Sequence, residues 1–393
     1  MDQVANPYSP GAGVRPYELA GRSTELSEMD VALQRALTGR PARSQLLIGL
    51  RGVGKTVLLH EFGRVAARRG YVHEHIAVGA DGLVALRLAA ALRKALLKLG
   101  GKKKVKGVNR QALGVLKAFS LTLLDGNSLH LDMEPVAGTA DSGDLAADLA
   151  GLFEEIGQAA RTYDSGVLLT IDEMQHLPQA TLEALVIGLY GAARLGLPIL
   201  VAGAGLPSLP GLTGEAGSYA EAMFRLRPLG SLAVEEGSIA LQAPAAAEGV
   251  SWKGGAISRL WEVTQGYPTF MQEFARQAWD LAEEGSKVIR LGDVERGIPL
   301  ALGELDAGFF QLSAGKATAV ERHYLRAMAE LGPGVVTSTD VAACLDKRTT
   351  QVAPVRDALM KKGLCYSPGF NELAFTTPHF DQFMKRWMPR VAA

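Results

Sequence analysis

Along the first 230 residues the apolar positions switch repeatedly between short unbroken runs and a helical spacing. Runs at 45–49, 72–78, 167–171 and 198–202 read as buried strands. Between them, 56–67, 83–99, 144–160 and 181–195 carry apolar stripes at helical spacing. Residues 1–20, rich in Pro, Gly and Tyr, read as an extended lead-in. Residues 22–39 then place Leu26, Met29, Val31, Leu33 and Leu37 on a helix, with Ser23 as its N-cap. This alternation predicts the α/β class, with a mostly parallel and covered sheet. A weak alternation over 118–131 around Asp125-Gly126-Asn127 predicts a hairpin.

After about residue 230 the strand runs fade. Segments 252–264, 269–284 and 291–312 predict a small helical domain or lid. From Lys316 the pattern is three helices, at 320–331, 338–345 and 349–362. Two short strands follow, at 364–367 and 372–376, on either side of Pro368-Gly369-Phe370-Asn371. Three helices and a hairpin describe a winged helix. The expected division is 1–230 for an α/β core, 231–315 for a lid and 316–393 for the winged helix.

Composition changes this picture little. The 393 residues suit two or three domains, and 48% hydrophobic with 21% charged residues is ordinary for filled cores. Formal net charge is zero, which excludes a chain-wide basic field for nucleic acid. The run holding Lys102, Lys103, Lys104, Lys106 and Arg110 reads as a solvated loop. Two cysteines, Cys344 and Cys365, are too few for a disulfide framework or a cysteine zinc site. His73 and His75 alternate on a strand without a third metal ligand. Trp252, Trp261, Trp279 and Trp387 read as core or domain-interface residues. No basic n-region with an apolar h-region opens the chain, and no apolar stretch reaches membrane-span length. A cytoplasmic protein without a membrane partner is the expectation.

The chemistry begins at residues 49–56, Gly49-Leu50-Arg51-Gly52-Val53-Gly54-Lys55-Thr56, between an apolar run and a helix. That is the spacing and context of a phosphate-binding P-loop, continuing into Val57. Glycines let backbone N–H groups curl round a phosphate, and the helix N-terminus adds a favourable dipole. Lys55 would bridge the β- and γ-phosphates, facing solvent until they arrive, and Thr56 would hold Mg²⁺ through its hydroxyl. The run at 167–171 ends in Asp172-Glu173, carboxylates at the strand tip where α/β sheets bind ligands. Asp172 should orient the Mg²⁺ shell and Glu173 should polarise the attacking water. ATP and Mg²⁺ are the expected ligands, with hydrolysis as the reaction.

With these motifs the chain resembles AAA+ type ATPases of the branch shared by origin-recognition-like and STAND proteins, from about residue 7 to 387. The segment Arg15-Pro16-Tyr17-Glu18-Leu19 to Leu26 resembles the one that lines the adenine pocket in that family. Gly266-Tyr267-Pro268 resembles the turn that brings the lid, through Pro268, to the nucleotide. Two departures stand out. The strand after Asp-Glu ends Val201-Ala202-Gly203-Ala204-Gly205, with no polar side chain to sense the γ-phosphate. Ala222 stands where the resemblance implies an arginine finger, with Arg225 and Arg227 close by as substitutes. A displaced finger implies slow basal turnover, or help from a second copy of the chain or from a protein partner.

Residues 316–393 hold eleven basic against seven acidic residues, a formal +4 in a neutral chain. Lys347 and Arg348 open the third helix, and Lys361 and Lys362 close it. The helix interior, Val352-Ala353-Pro354-Val355, offers little for reading bases, so phosphate contacts with duplex DNA fit better than sequence readout. The leading expectation is an ATP-driven switch acting on DNA. The alternatives are a signalling switch whose winged helix clamps the ATPase core, and a nucleotide-binding scaffold with little hydrolysis.

Overall fold

A computed structural model describes the chain except for residues 12, 80–82, 103–107, 124–139, 210–216 and 390–393. The expected parallel sheet is present. Its strands are β1 (Ser44–Ile48), β2 (Val72–Ala77), β3 (Val167–Asp172), β4 (Ile199–Gly205) and β5 (Phe224–Pro228). They lie in the order β2-β3-β4-β1-β5, every pair parallel. Strands buried on both faces read as unbroken apolar runs, and β3 and β4 are buried at every position. Helices α1 (Ser23–Leu37) and α2 (Lys55–Arg68) cover one face. The other face carries α3 (Val84–Lys102), α4 (Val108–Leu123), α5 (Leu145–Thr162) and α6 (Gln179–Arg194). A short α7 (Gly217–Met223) leads into β5.

Several expectations change. Ala118 to Leu123 belong to α4 rather than to a hairpin, and the Asp125-Gly126-Asn127 turn lies outside the described residues. The apolar stripe of α4 packs among α3 and α5, which overrides weak local alternation. Of the basic run, Lys102 ends α3 and Arg110 lies in α4, while 103–107 fall outside the described residues. The residue capping α1 is Arg22, not Ser23, and no side chain bonds the free amides. By contrast, Asp144 caps α5 by accepting from Ala146 N at 2.9 Å.

Beyond β5 the chain forms α8 (Val234–Ala247), β6 (Ser251–Trp252), α9 (Ala256–Thr264), α10 (Pro268–Leu281) and β7 (Val288–Ile289). A long stretch follows, α11 (Leu291–Glu304), a π-helical segment Leu305–Phe310 and α12 (Gln311–Ala314). Trp252 thus sits in a two-residue strand paired with β7, not in a helix. Its ring and that of Trp279 each meet the Tyr8 ring edge-on, so the lead-in is anchored on this unit's core.

The last stretch runs α13 (Ala319–Leu331), β8 (Val336–Thr337), α14 (Ser338–Cys344), α15 (Thr349–Lys361), β9 (Cys365–Tyr366), β10 (Glu372–Phe375) and α16 (Phe380–Trp387). The three helices and two strands fall within a residue or two of expectation. β8 joins them in an antiparallel sheet of order β8-β10-β9, and α16 adds a helix. A chain of aromatic rings, Phe270, Phe310, Phe380 and Phe383, ties this stretch to α10, with centroids 5.3 to 6.0 Å apart. One continuous apolar core therefore runs from α2 through α10 to α16. Among the described residues no helix is long and apolar enough to cross a membrane.

Candidate functional site

The loop between β1 and α2 takes the shape its glycines require. Gly52 and Gly54 have φ of 85° and 92°, the left-handed region that a side chain disfavours. A Cβ on Gly52 would also stand 2.9 Å from the Tyr267 ring. Gly54 ends the loop as the N-cap of α2, so Lys55 and Thr56 begin the helix and Val57 turns into the core. Lys55 does not face solvent. It is 7% exposed, and its ammonium donates to the carbonyls of Gly49 and Leu50 at 2.8 Å each. Burial lowers its pKa, with Glu173 and Asp172 opposing the shift. The charged tip is thus held inside the cradle by the loop's own carbonyls.

The Thr56 hydroxyl donates to Asp172 Oδ2 at 2.6 Å, and Asp172 Oδ1 accepts from Glu173 N at 2.9 Å. A loop hydroxyl and a strand-end carboxylate in direct contact, beside a buried lysine, form a hard oxygen donor set that fits Mg²⁺. Among the described residues, no group of three or more His, Cys, Asp or Glu is arranged as a metal cage. Glu173 itself has φ 57°, a strained backbone for a residue with a side chain, of the kind that clusters at functional sites.

Other expected site residues fall elsewhere. Arg15 pairs with Glu61 of α2 at 2.8 Å, Tyr17 is 55% exposed, and Pro16 and Leu19 are half-buried. The residue of this segment that reaches the loop is Arg22. It donates to Gly230 O at 2.8 Å and Val53 O at 3.4 Å. Arg225 and Arg227 lie on the edge strand β5, opposite Gln45 and Leu47 of β1. Both form ion pairs with Glu28 of α1, Arg225 at 3.0 Å. Within one chain, then, they do not join the cradle. Ala222 is in α7.

The start of α10 lies against the loop. Pro268 is the first residue of α10, where its missing N–H costs nothing. Its neighbours make the bonds: the Tyr267 hydroxyl donates to Arg51 O, and the Thr269 hydroxyl to Gly52 O at 2.8 Å. The C-terminal stretch also touches the loop. Arg51 N donates to Thr376 O at 3.1 Å, just past β10. A cavity of about 410 Å³ opens beside the loop, lined among others by Val53, Leu229, Tyr267 and His379. Arg22 lies within the segment that the sequence singled out, whereas sequence pattern gave no signal for Thr269, Thr376 or His379, which meet the loop from far along the chain.

Residues 18–201 match the AAA ATPase domain family. That stretch holds both the P-loop and the Asp172-Glu173 strand end. Residues 307–384 match a domain of unknown function, DUF8462. No curated protein matches the chain. Among solved structures, the Walker-type ATPase paby2304 of Pyrococcus abyssi is similar at 15% identity and a TM-score of 0.57, over 96% of this chain and 99% of that one. At that identity the likeness is one of fold. Two more distant likenesses have TM-scores of 0.48 and 0.47 and 15% identity. They are Cdc6p from Pyrobaculum aerophilum, over 99% of each chain, and the Aeropyrum pernix Orc1 protein in complex with DNA, over 94% of each.

His73 Nε2 and His75 Nδ1 both bond the Thr170 hydroxyl, at 2.8 and 2.9 Å, and His60 lies against His75. Burial, with His75 and His60 nearby, pushes His73 down to about 4. His73 is therefore uncharged at neutral pH.

Proposed function

We propose that this chain is an ATP-hydrolysing switch whose C-terminal stretch, a winged helix over 316–393, clamps the phosphate cradle. Residues 1–230 then form the ATPase core and 231–315 the lid. The observation that carries this reading is the bond from the P-loop amide of Arg51 to Thr376 O. P-loop amides are the groups that cradle phosphate, and here one of them is engaged by the last domain. Nucleotide entering the loop competes for that donor, which couples occupancy to the position of the winged helix.

In hydrolysis the amides of Arg51 to Thr56 hold the phosphates. Lys55 leaves its two loop carbonyls to bridge the β- and γ-oxygens. Thr56 and Asp172 would hold Mg²⁺, which supplies charge neutralisation at the phosphate oxygens. Glu173 takes a proton from the attacking water. Turnover by the purified full-length protein is the test, and absence of phosphate release with ATP bound would leave only a nucleotide-binding scaffold.

Action on DNA is the second reading, supported by Lys347, Arg348 and Lys361, which are exposed at the ends of α15. Much of the local basic excess is engaged internally. Lys362 pairs with Glu321 and Arg386 with Asp306, each at 2.6 Å, and Arg322 lies over the Trp387 ring. The discriminating measurement is the ATPase rate with and without duplex DNA, together with binding as a function of salt. Phosphate contacts give a log–log slope of about −0.9 per phosphate. Neutralising Lys347, Arg348, Lys361 and Lys362 together should weaken all duplexes about equally. No duplex affinity at low salt, with or without ATP, leaves the clamp reading alone.

Arg225 and Arg227 retain one catalytic role, toward a nucleotide held by a second copy. β5 is a sheet edge, and release from Glu28 would free both side chains. Activity per molecule should then rise from nanomolar to micromolar protein, and Arg225→Ala or Arg227→Ala should flatten the rise. Constant specific activity over that range removes the arginines from catalysis.

A further inference from the structure

The tip of β4 lies between β1 and β3, beside both the P-loop and Glu173. It carries glycine at 203 and 205, and the structure gives the reason. A Cβ on Gly203 would stand 2.1 Å from Met174 Sδ. On Gly205 it would stand 3.1 Å from Gln175 Oε1, and 2.5 Å from the Leu209 side chain. The tight turn Met174–His176, which follows Glu173, therefore occupies the space where a side chain of β4 would stand.

Gln175 makes two bonds there. Its Oε1 accepts from Leu206 N at 3.1 Å, at the end of β4. A backbone N–H can only donate, so this bond fixes the amide orientation and points Nε2 away from it. Nε2 donates to Oε2 of Glu173. One side chain thus joins the carboxylate beside the P-loop to the backbone of the neighbouring strand tip.

We infer that Gln175 is the positioning residue of the hydrolytic site, standing in for the polar side chain that β4 lacks. Its amide holds the Glu173 carboxylate against the β4 tip and transmits to that carboxylate whether a terminal phosphate is present. The inference rests on the ATPase reading above. In the phosphate-free state one Glu173 oxygen is engaged by Nε2 and is not open to water. A terminal phosphate offers Nε2 a competing anionic acceptor; Nε2 then holds that phosphate beside the released carboxylate, which takes the proton, so loss of the amide costs rate in the ATP-bound state as well.

Two variants separate this role from simple packing. Gln175→Ala removes both bonds. Gln175→Glu keeps the shape and an acceptor for Leu206 N, but removes the donor to Glu173. Both should lower kcat by about 10–100-fold, with KM for ATP within about threefold of wild type. Both should also lose the wild-type preference between a non-hydrolysable ATP analogue and ADP in titrations. A third readout needs no turnover: amide exchange at Leu206 in the nucleotide-free protein should accelerate in Gln175→Ala and stay slow in Gln175→Glu. A kcat within about twofold of wild type in either variant, or unaltered Leu206 exchange in Gln175→Ala, overturns the inference and leaves the ATPase reading standing. A wild-type protein with no turnover removes both.

Discussion

Lys55→Ala is expected to reduce ATP affinity by about 10²–10⁴-fold while the chain stays folded. Two charge-assisted hydrogen bonds to phosphate oxygens, at about 1.5–3 kcal/mol each, are lost, and each 1.4 kcal/mol is about tenfold in affinity. The fold should tolerate the change because the Lys55 ammonium bonds only loop carbonyls, at 2.8 Å each. Those two carbonyls then lose their partner, so a small drop in the melting temperature of the nucleotide-free protein accompanies the loss of binding. Calorimetric titration with Mg-ATP measures the first effect and circular dichroism checks the second. Unchanged affinity in a folded variant would sink the P-loop assignment.

Glu173→Gln separates binding from chemistry. The amide has nearly the same shape as the carboxylate but cannot accept a proton from water. Loss of general-base action typically costs about 10²–10⁴ in rate. Affinity for Mg-ATP should stay close to wild type, because Lys55, Thr56 and Asp172 are untouched. The Thr56–Asp172 contact at 2.6 Å does not involve Glu173 side-chain atoms. Single-turnover phosphate release reads the rate, and wild-type release by this variant would remove Glu173 from catalysis.

Much of the core was legible before any coordinates. The P-loop is local: apolar strand, glycines at the positions with positive φ, then a helix opening at Lys55. Asp172-Glu173 ends an unbroken apolar strand, which a periodicity reading detects at once. The C-terminal helices α13 to α15 came within a residue or two because Thr318 and Thr337 cap the first two and Gly332 and Gly363 follow the first and third. What escaped has a common cause. Helix α8 has an Ala-rich sequence with Pro244 inside it, so no apolar stripe marks it. Strand β5 lies at a sheet edge with only Phe224 buried and two arginines in it, and so lacks a continuous apolar run. The hairpin expected near 118–131 failed because a short alternation is a weak signal beside the packing of α4 against α3 and α5.

By itself, the sequence determined which chemistry this protein carries: a phosphate cradle, a strand-end carboxylate pair and a basic excess in its last 78 residues. Those are properties of spacing and residue type, and they survive any arrangement of the remaining chain. Tertiary structure alone decided how the groups are used. It set β4 between β1 and β3, brought Gln175 to its tip, tied Arg225 and Arg227 to Glu28, and put Thr376 on the P-loop amide of Arg51. Each of these pairs joins separate elements of the fold, so no periodic pattern encodes it. Burial of one continuous apolar core from α2 to α16 brings those elements together. The polar contacts then follow from which donors and acceptors that packing leaves facing each other.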